Sequence, residues 1–81
     1  MKEYFKMIKV YDFDGVFDGF CVEVQIDESA TECYLYHKNH SVKMLMFGVP
    51  TKGIKYDFEL LELIMDNIKD DIDIYQDVYI G

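Results

Sequence analysis

Residues 57–80 read DFELLELIMDNIKDDIDIYQDVYI, and the fold turns on where the periodicity of this stretch changes. From Asp57 onward Phe58, Leu61, Ile64, Met65 and Ile68 recur at helical spacing, with Asp57, Glu62, Asp66 and Lys69 between them. Apolar residues three and four apart form one stripe of an α-helix, so the spacing predicts a helix from Asp57 to about Asp70. Asp57 suits the N-cap and Glu59 the first turn, where carboxylates meet the positive end of the helix dipole. From Asp71 to Ile80 the pattern becomes strict alternation: Ile72, Ile74, Val78 and Ile80 on one side, Asp71, Asp73, Tyr75, Asp77 and Tyr79 on the other. Period two predicts a half-buried strand whose wet face is a ladder of Asp and Tyr.

The residues before the helix alternate as well. Tyr4–Phe13 predicts a first strand with Phe5, Met7, Tyr11 and Phe13 on one face. Phe20–Ile26 predicts a second, with Phe20, Val22, Val24 and Ile26 opposite Cys21, Glu23 and Gln25. Two turn dipeptides separate them, Asp14-Gly15 and Asp18-Gly19. The first pairs Phe5 with Val24 and the second pairs Phe13 with Val24; both place apolar against apolar, so the register stays open. Thr31–His37 and Ser41–Phe47 read as a further hairpin hinged at Lys38-Asn39. Cys33, Leu35, Val42, Met44 and Met46 would share one of its faces, and Tyr34, Tyr36, Lys43 and Leu45 the other. Residues 48–53 (GVPTKG) hold the only proline and read as punctuation. The expected order is ββββαβ. Hairpins followed by a helix imply an α+β domain, a small mostly antiparallel sheet with one helix packed on one face.

Eighty-one residues allow a single domain, 1–81, with one core. Such a chain buries only about 60–65% of its unfolded surface. The 51% hydrophobic content, with seven Tyr and six Phe, is ample for that core and leaves aromatics over for a surface. No apolar run reaches the roughly 18 residues of a membrane span, and no secretory leader is evident. Two cysteines, Cys21 and Cys33, are too few for a disulfide framework and fit a reduced, cytoplasmic setting. All eight basic residues are lysine, and Ile, Tyr and Asp are abundant, a composition associated with AT-rich bacterial or phage genomes.

The net charge is −8, and it is unevenly placed. Residues 57–81 carry eight acids against Lys69 alone, whereas residues 1–56 carry eight acids against seven lysines. A surface of that sign repels nucleic acid and anionic membrane and attracts basic partners.

Four constellations invite a chemical reading. Residues 8–18 (IKVYDFDGVFD) resemble the first motif of the haloacid-dehalogenase-like phosphatases, an apolar strand followed by D-x-D-G-V. The resemblance implies a phosphorylated nucleophile at Asp12 and an acid/base at Asp14. It covers about a dozen residues and lacks the βαβ crossover which that fold requires, and a hairpin turn accounts for it as well. Asp12, Asp14, Asp18 and Glu23 approximate a calcium loop, with Phe17 where the obligatory glycine belongs. Cys21, Cys33, His37 and His40 match no ordinary zinc spacing. Glu59, Glu62 and Asp66 share a helix face without the pocket that acid–base catalysis requires. The expectation is a protein with no catalytic residue, metal or cofactor.

The carboxylates of the last two elements remain. Spaced along a strand they approach the separation of nucleic-acid phosphates, and the interleaved tyrosines suit interface anchors. In size, charge and composition the chain resembles the small acidic phage proteins that inhibit CRISPR effectors and other host defences. That resemblance implies an inhibitor in the bacterial cytoplasm, blocking the nucleic-acid site of a basic protein or nuclease by mimicry. The candidate partner-binding residues are Asp66, Asp70, Asp71, Asp73, Tyr75, Asp77 and Tyr79. Alternatives are an immunity protein or antitoxin for a basic nuclease, and an oligomerisation module dimerising through Tyr4, Tyr34, Tyr36 and Leu45.

Overall fold

The computed structural model describes residues 7–52 and 56–81. Within them the order is ββββα: β1 (Met7–Asp12), β2 (Phe20–Ile26), β3 (Ala30–His37), β4 (Met44–Pro50) and α1 (Leu61–Tyr75). Wider π-helical turns, Tyr56–Leu60 and Gln76–Ile80, extend α1 at both ends. The sheet is an antiparallel meander in the order β1-β2-β3-β4, with the helix against one face. The α+β class expected from the hairpin-then-helix order is the class observed. Tyr4, Phe5 and the Asp57 side chain, all used in the sequence reading, lie outside what is described.

Core packing follows from the alternation of β2 and β3. Phe20, Val22, Val24 and Ile26 meet Thr31, Cys33 and Leu35 on one face, and all are buried. Onto this face the helix sets Leu60, Ile64, Ile68, Ile72 and Tyr75. Four of these are four residues apart, a row along one side of the helix. Met44, Met46 and Phe47 of β4 complete the layer, helped by an irregularity at Cys33/Tyr34 that shifts the pairing by one residue.

The final strand is corrected by the structure. Residues 71–80 continue the helix, with Gln76 in α-helical φ/ψ, −61°/−42°. Ile74, Val78 and Ile80, expected to be half-buried, are exposed, and Tyr75, expected on the wet face, is fully buried. Ile64, Ile68, Ile72 and Tyr75 follow a 4-4-3 spacing, so one continuous helix buries more of this segment than an edge strand would. The buried face of the first half is turned as well: Leu60 is buried, whereas Phe58 (74% exposed) and Met65 face outward.

Two smaller corrections concern the hairpins. Met7 pairs with Ile26 and Tyr11 with Val22, a register midway between the two expected ones. Both Asp-Gly dipeptides fall in one longer loop instead of either making a tight turn. β4 starts at Met44, not Ser41, and runs through Gly48, Val49 and Pro50, the segment read as punctuation. As an edge strand, β4 tolerates a proline at its last residue, where no further ladder bond is needed.

Candidate protein-binding surface

The loop between β1 and β2 shows what the Asp12/Asp14 motif does locally. Asp12 accepts from the Asp14 backbone N–H (2.9 Å), and Asp14 accepts from the Gly19 N–H (2.8 Å). Lys38 reaches both carboxylates, at 3.1 and 3.3 Å, and its own N–H donates to the Gly19 carbonyl. The Asp14 hydrogen bond and the Lys38 ammonium hold the Asp12 carboxyl below its usual range. The motif is thus a clasp between two neighbouring loops. Gly19 sits at φ +78°, pressed against the His37 ring, where any side chain would collide.

The other constellations separate in space. Glu23, the last residue of the supposed calcium loop, lies in the middle of β2 and pairs with Lys43 at 2.9 Å. Cys33 points into the core, where burial pushes its thiol up to about 11, and Cys21 lies on the opposite sheet face; both are free. Among the described residues no group of three or more His, Cys, Asp or Glu side chains converges on a metal-sized site. The described helix is also not long and apolar enough to cross a membrane.

Along α1 and into the π turn that follows it the carboxylates converge. Glu62, Asp66, Asp70, Asp73 and Asp77 follow a 4-4-3-4 spacing, and all are exposed. At 1.5 Å rise per residue the row is about 22 Å long, with a carboxylate every 5 Å or so. It runs roughly opposite the buried row of Leu60, Ile64, Ile68 and Ile72, so it faces away from the sheet. The ion pairs of Lys38 with Asp12 and Asp14 and of Lys43 with Glu23 are on the sheet side. Adjacent carboxylates lie within a Debye length of about 8–10 Å, so the row acts as one charged object.

Of the residues expected to bind a partner, Asp66, Asp70, Asp73 and Asp77 are brought together on this row. Asp71 is not: it is half-buried on the flank beside the core, where burial and the neighbouring Asp70 raise its pKa. Tyr75 is excluded. Its ring packs edge-on against Phe20 at 5.7 Å and its hydroxyl donates to the Val42 carbonyl at 2.6 Å. Tyr79 is exposed and rests on Tyr75, 5.1 Å between ring centroids, on the side of the helix away from the row. Glu62 belongs to the row and was grouped with Glu59 and Asp66 in the sequence without being joined to the later aspartates. Carrying the four-residue step from Glu62 and Asp66 on through Asp70 joins it to the later aspartates.

Comparison with family models, with curated proteins and with solved structures gives no match.

Proposed function

We propose that this chain is a binding protein that presents the acidic row of α1 to the basic nucleic-acid groove of a partner and occludes it. The observation that carries the reading is the alignment of Glu62, Asp66, Asp70, Asp73 and Asp77 on one outward face. A carboxylate about every 5 Å is of the order of the separation between phosphates along a strand. Lysines and arginines arranged to neutralise phosphates would meet acceptors at comparable intervals. The fixed helix holds the row in place, so little conformational freedom is lost on docking. Association would be fast and salt-sensitive, steered by opposite charge.

The partner class is a nuclease or another nucleic-acid-handling protein. A host-defence nuclease of the CRISPR-effector type fits the chain's size, composition and sign of charge, with the encounter in the bacterial cytoplasm. The protein acts by occupancy, without chemistry of its own.

The test begins with capture of bacterial partners on the immobilised protein. A retained protein is then titrated with a labelled oligonucleotide in the presence and absence of this chain. The expected result is competitive displacement of the oligonucleotide, weakened about 100-fold or more in Asp66→Lys/Asp70→Lys/Asp73→Lys and steeply dependent on salt. Equal affinity of the triple variant, with its fold intact by circular dichroism, would refute the reading.

A further inference from the structure

The acidic row does not stand alone on its helix. About a quarter-turn round from it Leu63, Ile74 and Val78 form a second line, 37%, 50% and 62% exposed. Ile74 is four residues after Asp70 and three before Asp77, and Val78 is four after Ile74, so these apolar side chains are surface neighbours of the row. Half-buried Asp71, three residues before Ile74, edges the strip on its other side. Asn67, between Leu63 and Ile74, turns its amide back onto the Leu63 carbonyl at 2.8 Å.

The opposite flank of the row differs in charge. Phe58 and Met65 are exposed there, and Lys69 follows Met65 by four residues. Lys69 is the only basic residue from 57 to 81, so a cationic partner meets repulsion on that flank and none beside Ile74. Ile74 and Val78 also lie at the end of the sheet where Tyr75 packs on Phe20. Met7, the first residue of β1, pairs with Ile26 at the other end of β2, about 20 Å away.

We infer that the groove occluded by α1 is one built for a single nucleic-acid strand. The carboxylates take the place of phosphates, and Ile74 and Val78 take the place of the bases beside them. The inference rests on the occlusion reading of the row and specifies what the partner normally holds. A duplex borders its grooves with two rows of phosphates, about 6 and 12 Å apart. The helix shows one row, and the side opposite it is buried against the sheet. A single strand is one charged line with apolar base faces to one side, held by a basic track and aromatic platforms. Platforms that receive bases bury isoleucine and valine side chains on the same apolar surface. Five carboxylates over about 22 Å correspond to roughly five nucleotides, near the small end of the range for such grooves. The row then governs encounter and its salt dependence, and the apolar strip slows dissociation.

The test loads the protein retained on the immobilised chain with a fluorescein-labelled 12-nucleotide single strand or with the corresponding 12-base-pair duplex, and titrates the full chain into each. The expected result is release of the single strand, with at least tenfold weaker action on the duplex complex. Ile74→Ala/Val78→Ala is expected to weaken release at least tenfold while the slope of log affinity against log salt is unchanged. Alanine favours the helix, so the circular dichroism should be retained. Phe58→Ala/Met65→Ala on the Lys69 flank is expected to change neither affinity nor slope. Equal release of the duplex, a partner that holds duplex alone, full affinity in Ile74→Ala/Val78→Ala, or a loss confined to Phe58→Ala/Met65→Ala overturns the inference and leaves the occlusion reading standing. Undiminished affinity in Asp66→Lys/Asp70→Lys/Asp73→Lys, or no retained partner at all, overturns both.

Discussion

Tyr75 is where a helical and an extended C-terminus make opposite demands, and its substitution separates them. In the helix its ring is fully buried against Phe20 and its hydroxyl donates to the Val42 carbonyl, tying α1 to the segment before β4. Tyr75→Phe keeps the ring and removes that bond, for an expected loss of about 1 kcal/mol. Tyr75→Ala empties an aromatic site in the core, for about 3–5 kcal/mol. Domains of this length have roughly 4–12 kcal/mol in all, so the alanine variant is at the edge of unfolding. Ile74, one residue earlier, is 50% exposed on the helix, and Ile74→Ala should stay within about 0.5 kcal/mol.

The assay is urea denaturation followed by circular dichroism, with m about 1 kcal/mol/M for a chain this small. Tyr75→Phe should lower the midpoint by about 1 M with m unchanged, and Ile74→Ala should leave it within about 0.5 M. On a strand carrying Ile72, Ile74, Val78 and Ile80 inward, the ranking inverts: Ile74→Ala would lose about 2–5 kcal/mol and Tyr75→Phe nothing. That inverted ranking would refute the helical C-terminus, and with it the acidic row, since Asp73 and Asp77 join Asp66 and Asp70 only on a helix.

Two further outcomes follow from the loops and the helix flank. Gly19→Ala sets a side chain against the His37 ring at a positive φ and is expected to cost about 2 kcal/mol or more, whereas Gly15→Ala, with open space around it, should be nearly neutral; equal thermal midpoints for the pair would contradict this geometry. Asp71 has a raised pKa in the folded chain, so at neutral pH its ionised form opposes folding, and the penalty fades as pH falls through that raised value. Asp71→Asn should therefore raise the urea midpoint at pH 7 and lose the advantage under acid conditions, and a constant or reversed difference across that range would remove the explanation.

The parts of the fold legible in the sequence were those with a single periodicity. Phe20, Val22, Val24 and Ile26 alternate without ambiguity and form the core face of β2. Residues 71–80 are ambiguous in sequence because Ile72, Ile74, Val78 and Ile80 satisfy period two, while Ile68, Ile72, Tyr75 and Tyr79 satisfy 4-3-4 equally well. Counting Tyr75 as a core residue decides between them, and nothing local shows that its hydroxyl has a partner 33 residues away. The first hairpin was undecidable for a similar reason. Its register depends on a seven-residue loop, 13–19, closed by Asp14 and clasped by Lys38, a contact between segments far apart in the chain. The candidate site was half legible: the acids and their sign are plain in the sequence, and their alignment depended on the element that carries them.

The helix that replaces the strand makes the functional reading more specific, because the row is arranged against the helix's own interests. Like charges three or four residues apart on a helix each cost about 0.2–0.5 kcal/mol, and the row from Glu62 to Asp77 contains four such neighbours. Asp73 and Asp77 also stand toward the C-terminal end, where the helix dipole is negative, and neither α1 nor the π turn after it has a basic residue in its last turn. Solubility alone would be served as well by lysines interleaved at those positions, which would stabilise the helix. A small domain with a few kcal/mol to spare keeps five carboxylates in line with Lys69 alone, three residues from Asp66 and four from Asp73, at helical reach of them, and residues that oppose folding in this way are expected where function requires them. Since Asp66, Asp70 and Asp73 touch none of the core, reversing their charge should relieve the helix while it abolishes binding. The opposite signs of those two effects distinguish a docking surface from a solvated face.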